Sequence, residues 1–310
     1  MAATWALHDV GWPALMDVVT HADPLWVALA AAVNLGAIYA MAGRWQALLH
    51  PVAPLVSRLD AFKAMVMGFA VSIVVPARAG ELARAEFLGR RTGLPRATIL
   101  GSIVLDHLVN AAGMFCGIAV LPLILDLPGW LHAGIWLALV VFAGAASVVF
   151  VLRPKAGLPT PDGAVPWEGR AGPGVTGFLA RARLGLAAMR DRRALARSLG
   201  ASMVAWVLEM GVVSFTLWAF GIHVPFGVSL LVLMAVNLAL VVPFAPPANL
   251  GTLELGATLA LMECGVPKGQ ALAFALVYHF LQVIPIGVGG LVLAGRSLLR
   301  GVPVPQSTQS

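Results

Sequence analysis

The chain of 310 residues is 60% hydrophobic and only 11% charged, a composition that excludes an ordinary soluble globular domain. Several separate apolar stretches reach the roughly 20 residues that a helix needs to cross a bilayer, so the predicted fold class is all-α, a polytopic helical membrane protein. The formal charge of +6 comes from arginines between these stretches, which indicates loops held at the cytoplasmic membrane surface and not a nucleic-acid footprint.

The N-terminal segment, residues 1–23, has no basic region ahead of its apolar residues, so it does not resemble a cleavable signal peptide. Its tryptophans and aliphatic residues can form one side of a helix, which predicts an interfacial segment at the level of the lipid headgroups. Five clear membrane spans follow, at residues 24–43, 97–125, 130–152, 198–220 and 271–293.

Two further apolar stretches end in proline-containing breaks. Residues 61–75 lead into the sequence Pro-Ala-Arg-Ala-Gly, residues 226–242 lead into Pro-Phe-Ala-Pro-Pro, and a short helical segment follows each break. Irregular backbone at membrane depth is tolerated only where protein buries it or where it lines a wet cavity. The breaks therefore predict two re-entrant helical hairpins, at about 61–91 and 226–264, around a shared cavity.

Basic residues orient these elements, because Lys and Arg near the ends of spans stay on the cytoplasmic side. Both flanks of the first hairpin and the start of the C-terminal tail contain arginines, so these segments are predicted to be cytoplasmic. Only Lys268 flanks the second hairpin, together with Glu263, which predicts that this hairpin enters from the opposite face. The C-terminus is expected in the cytoplasm, the N-terminus on the extracytoplasmic side, and residues 301–310 are expected to be disordered.

The two halves of the chain contain similar motifs, which predicts an inverted repeat. Gly93-Leu-Pro-Arg-Ala and Gly265-Val-Pro-Lys-Gly are each followed, at the same spacing, by a histidine, His107 or His279. Chance similarity is the alternative, because apolar segments match one another easily.

A basic segment, residues 153–197, is predicted to be a cytoplasmic linker between a first repeat at 24–152 and a second repeat at 198–300. The first part of the linker is rich in proline and glycine, and residues 177–199 can form a basic helix on the membrane surface. The alternative is a determinant of topology that binds no ligand.

The first break contains the densest group of polar residues. Pro76 frees backbone groups, Gly80 allows close approach, and Glu81 with Arg78 and Arg84 offers an ion pair and a spare guanidinium. Because arginine binds phosphate through two parallel hydrogen bonds, Arg78 and Arg84 are candidate ligands of a phospholipid headgroup. The alternative is a helix start in which Glu81 lies near the N-terminus and Arg84 extends to the cytoplasmic interface.

The second break contributes Asn249, Gly251 and Glu254 as candidates. Free backbone amides at the start of a half-helix attract anions. Glu254 is either part of the site or a residue that caps this helix and balances its dipole.

Ionisable residues at the centre of a span cost roughly 2.5 to 3.5 kcal/mol on insertion scales, so they are candidate functional residues. Asp106, with an arginine as its expected partner, is the strongest of them. His107 and His279 are either proton carriers or neutral histidines that are hydrogen-bonded between helices. Glu209 is the one acidic residue of its span and needs a partner or a proton.

Four amides complete the polar inventory of the membrane segments. Asn34 and Asn237 are predicted to form interhelical hydrogen bonds. Asn110 and Gln282 lie about one helical turn after the polar residues of their spans, and therefore on the same faces.

A set of residues distributed over most of the chain resembles the family of lysylphosphatidylglycerol synthase transmembrane-region proteins, also described as flippase-like membrane proteins. The resemblance rests on Arg44-Trp45, Pro76-x-Arg78-x-Gly80-Glu81-x-x-Arg84, Gly93, Glu209, Gly251-x-x-Glu254, Gly265 and Ala271. It implies paired re-entrant hairpins around a cavity of headgroup size, and a role in lipid translocation or an accessory role in envelope-lipid metabolism.

The chain departs from the family pattern in three places. His107 stands where the family has an arginine beside Asp106, and Ala248-Asn249 stands where the family tends to have a glycine. The extra N-terminal span of many relatives is not expected here. No soluble aminoacyltransferase domain is expected after Arg300, so a lysyl-lipid synthase activity of this chain alone is not predicted.

The predicted function is a lipid flippase or scramblase of the bacterial inner membrane, whose partner is a membrane lipid with a phosphate-bearing headgroup. The alternatives are a non-catalytic partner of a lipid-modifying enzyme and an integral-membrane transferase that acts on lipid-linked substrates. A homo-oligomer is possible. No cofactor and no metal are predicted, because Cys116 and Cys264 lie in apolar runs without CxxC spacing and are expected to be packed inside.

Overall fold

The computed structural model describes residues 17–75, 79–125, 129–152, 174–240 and 246–299. Within these ranges the chain is helical, with two 3₁₀ turns at Ala187–Arg190 and Pro247–Asn249. The α-helices are α1 (Pro24–Leu49), α2 (Arg58–Val74), α3 (Ala79–Thr92), α4 (Arg96–Ile124), α5 (Gly129–Leu152), α6 (Val175–Leu184), α7 (Arg192–Ala219), α8 (Phe226–Ala239), α9 (Thr252–Glu263) and α10 (Lys268–Leu299).

Four helices of the described residues are long and apolar enough to cross a membrane: α1, α4, α7 and the part of α10 up to Gly295. They lie at four of the five predicted spans. Helix α5 occupies the fifth, and its described apolar stretch, Leu139–Val151, is shorter. The prediction of a polytopic helical membrane protein is therefore confirmed.

Local sequence explains where several helices begin and end. The side chains of Asp23, Ser57 and Asp191 accept hydrogen bonds from backbone amides in the first turns of α1, α2 and α7, so they cap these helices. Gly93 follows α3 and Gly265 follows α9, and both adopt a left-handed conformation with φ of 73° and 83°. A glycine in this conformation stops a helix, and in both halves a proline then precedes the next long helix.

The packing of the helices is symmetric between the two halves. Helices α1 and α7 form the most extensive contact among the described residues. Helix α2 packs on α10 and α8 packs on α4, so the first short apolar helix of each half contacts the last long helix of the other half. Exchanging α1 to α4 with α7 to α10 reproduces every helix contact within this set, as expected for a duplicated unit.

Two short helix pairs, α2 with α3 and α8 with α9, occupy the positions of the predicted hairpins. Glycines allow the first pair to approach closely, because a Cβ atom on Gly68 would lie 2.7 Å from the carbonyl oxygen of Gly80. At the other end of the pair, Arg91 donates to Asp60 at 2.8 Å. The hydrogen bond from Ser57, together with Arg91, holds the pKa of Asp60 below its usual value.

The linker between the halves differs from the predicted continuous basic helix at 177–199. Helix α6 ends at Leu184, and a separate helix, α7, begins at Arg192 because Asp191 caps it. Helix α6 packs on α4 through small residues: a Cβ on Gly101 would collide with the backbone of Ala182. The described part of the linker therefore contacts a membrane helix directly. The preceding residues, 153–173, lie outside the described ranges.

The predicted interior position of the cysteines is wrong. Cys116 on α4 and Cys264 at the end of α9 are free and exposed. A membrane helix exposes apolar residues to lipid, so an apolar run does not by itself indicate burial against protein. Of the predicted interfacial segment, only residues 17–23 are described, and Val18 and Val19 pack against α10.

Replacing Gly80 with alanine is expected to destabilise the protein by about 1–3 kcal/mol, because the new methyl group would overlap Ser72 and the Gly68 carbonyl group. Thermal unfolding in detergent measures the change. Gly200→Ala is the matched control, since a Cβ there would have no neighbour within 4 Å. Equal melting temperatures for the two variants would contradict the proposed close packing of α2 on α3.

Candidate functional site

A cavity of about 310 Å³ lies between the two halves of the molecule. Its wall is formed by the long helices α1, α4, α7 and α10, by both short helix pairs and by the second break. The polar lining residues are Arg44, Ser72, Arg84, Asp106, His107, Asn110, Trp206, Glu209, Asn237, Asn249, Tyr278, His279 and Gln282. The apolar lining residues include Ile38, Met41, Met65, Phe69, Ile73, Val236, Leu253, Val283 and Ile286. The cavity is therefore amphipathic.

Asp106 lies between two guanidinium groups at one side of this cavity. Arg44 Nε donates to Asp106 Oδ1 at 2.8 Å, and Arg84 Nη2 donates to Asp106 Oδ2 at 3.2 Å. All three side chains are at least 94% buried, so the cluster of two cations and one anion has a net charge of +1 in a nearly water-free environment. Arg44 also donates to the side-chain oxygen of Asn110. The prediction that Asp106 pairs with an arginine is confirmed.

An aromatic residue holds Arg84 in place. The guanidinium carbon of Arg84 lies 3.6 Å from the ring centroid of Trp45, a cation–π arrangement. The indole nitrogen of Trp45 donates to Ser102 at 3.0 Å, which fixes the ring. Within the described part of the chain, Nε of Arg84 is buried and has no hydrogen-bond partner.

Each half of the molecule places a Glu–His pair between its short second helix and its last long helix. In the first half, His107 Nε2 lies 3.0 Å from Glu81 Oε1. In the second half, His279 Nδ1 lies 2.7 Å from Glu254 Oε1. The two pairs differ in exposure, since the first is partly exposed and the second is almost completely buried. Both histidines line the cavity.

Glu209 on α7 lies on the cavity wall with two uncharged partners. Gln282 donates to Glu209 at 3.4 Å and to the hydroxyl group of Tyr278 at 3.1 Å. Tyr278 also shares a hydrogen bond with Glu209. This acidic residue therefore has the partner that its position in an apolar span requires.

The candidate residues predicted from sequence fall into four groups according to their position in the structure. Six of them line the cavity: Arg84, Asp106, His107, Glu209, Asn249 and His279. Three others hold the lining in place, because Glu81 and Glu254 contact the two histidines and the amide of Gly251 donates to Glu254 at 2.8 Å. Gly80 serves the packing of α2 on α3. Arg78 lies outside the described residues.

Sequence reasoning missed Arg44, which is buried in the cluster although its position near the end of a span suggested a cytoplasmic flank. It also missed Trp206 and Tyr278, because aromatic residues in apolar spans give no signal of a polar site. Asn34 forms the predicted interhelical hydrogen bond, to the carbonyl group of Leu281 at 2.7 Å. The same prediction for Asn237 is wrong: its amide group donates to a carbonyl one turn earlier in its own helix.

The protein-family model described as the lysylphosphatidylglycerol synthase TM region matches residues 1–290 of the chain. The chain belongs to this family. No curated protein matches the chain. The family match covers every described residue that lines the cavity. Within the described residues, no group of three or more His, Cys, Asp or Glu side chains has a geometry that could hold a metal ion.

Replacing Asp106 with asparagine is expected to destabilise the protein by about 3–5 kcal/mol, because two buried arginines would remain without a counter-charge. Chemical unfolding in detergent measures the change. Glu86→Gln is the control, since it breaks comparable ion pairs at the exposed face of α3 and should cost about 1 kcal/mol or less. A loss no larger than that of the control would contradict the assignment of Asp106 as the buried counter-ion.

Proposed function

We propose that this protein moves a lipid across the membrane and that the headgroup passes through the cavity between the two halves. The observation that supports this function best is the buried Arg44–Asp106–Arg84 cluster on the wall of an amphipathic cavity in a bundle of membrane helices. A charged cluster in this position is costly, and such groups mark ion and substrate pathways in membrane proteins.

The chemistry of the cluster favours a phosphate-bearing headgroup. Two guanidinium groups share one carboxylate, so the cluster retains one positive charge for an anion. Guanidinium groups bind phosphate oxygens through parallel hydrogen bonds, so an anionic phosphate oxygen would balance the remaining charge.

The size and lining of the cavity favour a headgroup and not a whole lipid. A volume of about 310 Å³ is at the small end of the roughly 300–1,000 Å³ of typical ligand pockets. The apolar side of the cavity includes Phe69, Ile73, Val283 and Ile286, which can contact the start of an acyl chain. The acyl chains would remain in the bilayer while the headgroup crosses.

The two short helix pairs would act as re-entrant hairpins that open the cavity to one side of the membrane at a time. Their symmetric packing against the long helices of the opposite half supports this role, since repeats of this kind rock against each other in transporters. In a bacterial inner membrane the C-terminus would be cytoplasmic and the N-terminus extracytoplasmic, in accordance with the arginine distribution.

Arg84→Gln is expected to slow transbilayer lipid movement by about 10- to 100-fold, because the headgroup loses a charged hydrogen-bond donor. The neutral Arg44–Asp106 pair remains in this variant, so folding should be preserved. Purified protein is reconstituted into proteoliposomes with a fluorescent phospholipid, and a membrane-impermeant quencher reports the fraction of lipid that reaches the outer leaflet.

The matched control is Arg90→Gln, on the same helix but with a side chain that is 67% exposed. It should move lipid at the wild-type rate. Wild-type rates for Arg84→Gln would contradict the assigned headgroup site. If the wild-type protein moves no more lipid than protein-free vesicles, with anionic and zwitterionic phospholipids alike, the proposed function is wrong.

A further inference from the structure

The histidine of the second half, His279, has an acceptor at each of its ring nitrogens. Its Nε2 atom lies 2.8 Å from the carbonyl oxygen of Ala248, and its Nδ1 atom lies 2.7 Å from Glu254 Oε1. A carbonyl oxygen only accepts hydrogen bonds, so Nε2 must bear a hydrogen. A neutral imidazole would then present a lone pair at Nδ1 to the carboxylate.

Two lone pairs cannot face each other at 2.7 Å in a buried site, so this geometry requires a second proton between Nδ1 and Oε1. The proton can reside on the imidazole, opposite a carboxylate, or on the carboxylic acid, opposite a neutral imidazole. In either form the pair holds one proton more than a neutral histidine with an ionised glutamate. The side chains are at least 92% buried, so water cannot replace the missing donor.

We propose that Glu254 and His279 form a proton-binding site that anchors residues 248–251 to α10, and that loss of this proton releases these residues from the cavity wall. The ligand of this site is H⁺. Its release reaches the cavity because Ala248, whose carbonyl group His279 holds, and the adjacent Asn249 are part of the cavity lining.

The backbone conformation of Ala248 and Asn249 explains why these residues need an anchoring contact. Ala248 and Asn249 both have positive φ values, 54° and 58°, in a region that L-residues rarely adopt. This strained conformation persists only where surrounding contacts hold it. His279 holds the carbonyl group of Ala248, and the other oxygen of Glu254 accepts the amide of Gly251 at 2.8 Å.

The other ionisable groups around the pair come from four other helices and from α10 itself. The ionisable groups that line the same cavity are Arg44 from α1, Arg84 from α3, Asp106 and His107 from α4, Glu209 from α7 and Tyr278 from α10. Helices α2 and α8 contribute no ionisable side chain to the described lining. Because the arginines already share Asp106, Glu254 has His279 as its closest charged partner.

The corresponding pair of the first half does not impose this requirement. Only Nε2 of His107 has a described side-chain contact, to Glu81, and the pair is partly exposed to solvent at 48% and 32%. A neutral His107 with a hydrogen on Nε2 can donate to an ionised Glu81. The proton requirement is therefore particular to the second half.

Hydrogen exchange of the amides from Ala248 to Gly251, measured by mass spectrometry on the full-length protein in nanodiscs, tests the proposal. After correction for intrinsic exchange, protection in the wild-type protein should fall by about tenfold between an acidic and an alkaline pH, as the pair loses its proton. Glu254→Gln should remain protected at both pH values, because its amide group can donate to Nδ1 as the bound proton does. His279→Gln should be unprotected at both.

His223→Gln is the matched control, since this exposed histidine contacts only a backbone carbonyl in the loop before α8 among its described hydrogen bonds. It should show the wild-type pH profile. A wild-type profile without pH dependence, or a Glu254→Gln profile like that of the wild type, would overturn the proposal.

Nitrogen NMR of ¹⁵N-histidine-labelled protein provides a second test, which does not depend on folding of the Glu254 variant. His279 should bear a hydrogen on Nε2 at low pH, and a bare Nε2 with a hydrogen on Nδ1 would overturn the proposal. The link from this site to lipid movement rests on the proposed function. If exchange follows the expected pattern and lipid does not move at any pH, then the proton site stands and the proposed function fails.

Discussion

Asp106 lies inside a bundle of membrane helices between Arg44 and Arg84, and the arrangement of the site depends on this ion pair. Each buried arginine needs the carboxylate as its counter-charge, and the carboxylate needs at least one of the two arginines. The cluster of Arg44, Asp106 and Arg84 joins α1, α4 and α3, and so holds the first short helix pair against two full spans. The same interaction leaves one positive charge at the cavity, which is the property that favours an anionic headgroup.

The duplicated scaffold supports a division of roles between the halves. Both halves stop a short helix with a left-handed glycine, continue into a long helix and pair a glutamate with a histidine. They differ at the residue before that histidine, which is Asp106 in the first half and Tyr278 in the second. The first half therefore supplies the charged cluster. The second half supplies Glu209 with its partner Gln282, and the residues around Ala248 that the proposed proton site anchors.

Much of the fold could be predicted from sequence because its signals are local. Apolar runs located the spans, and prolines followed by short helices located both helix pairs within a few residues. Which polar side chains contact each other could not be predicted, because these contacts join helices that are distant in sequence. Arg44 near the end of a span has the same local pattern as a cytoplasmic flank, and only the packing of α1 on α4 shows that its side chain turns inward to Asp106.

The Glu–His pairs show the same limit. The sequence marked Glu81, His107, Glu254 and His279 as separate candidates, and the question of whether the histidines carry protons or only bond between helices stayed open. The two ring nitrogens of His279 contact Glu254 and the carbonyl group of Ala248, and these two distances indicate a bound proton. The spacing of residues in the sequence contains no such information. The exposure of the cysteines could not be predicted from the sequence either, since apolar residues that face lipid and those that face protein have the same composition.

The central claim is that a phosphate-bearing headgroup occupies the cavity next to Arg44 and Arg84. Photo-crosslinking tests it most directly, with phosphatidylglycerol and phosphatidylethanolamine that bear a photoactivatable group in the headgroup, followed by mapping of the labelled peptides. Labels are expected on the cavity-facing parts of α1, α4, α7 and α10, and the unlabelled lipid should compete with the labelling. Labels confined to the outer surface, such as the exposed face of α5, for both lipids would contradict the claim.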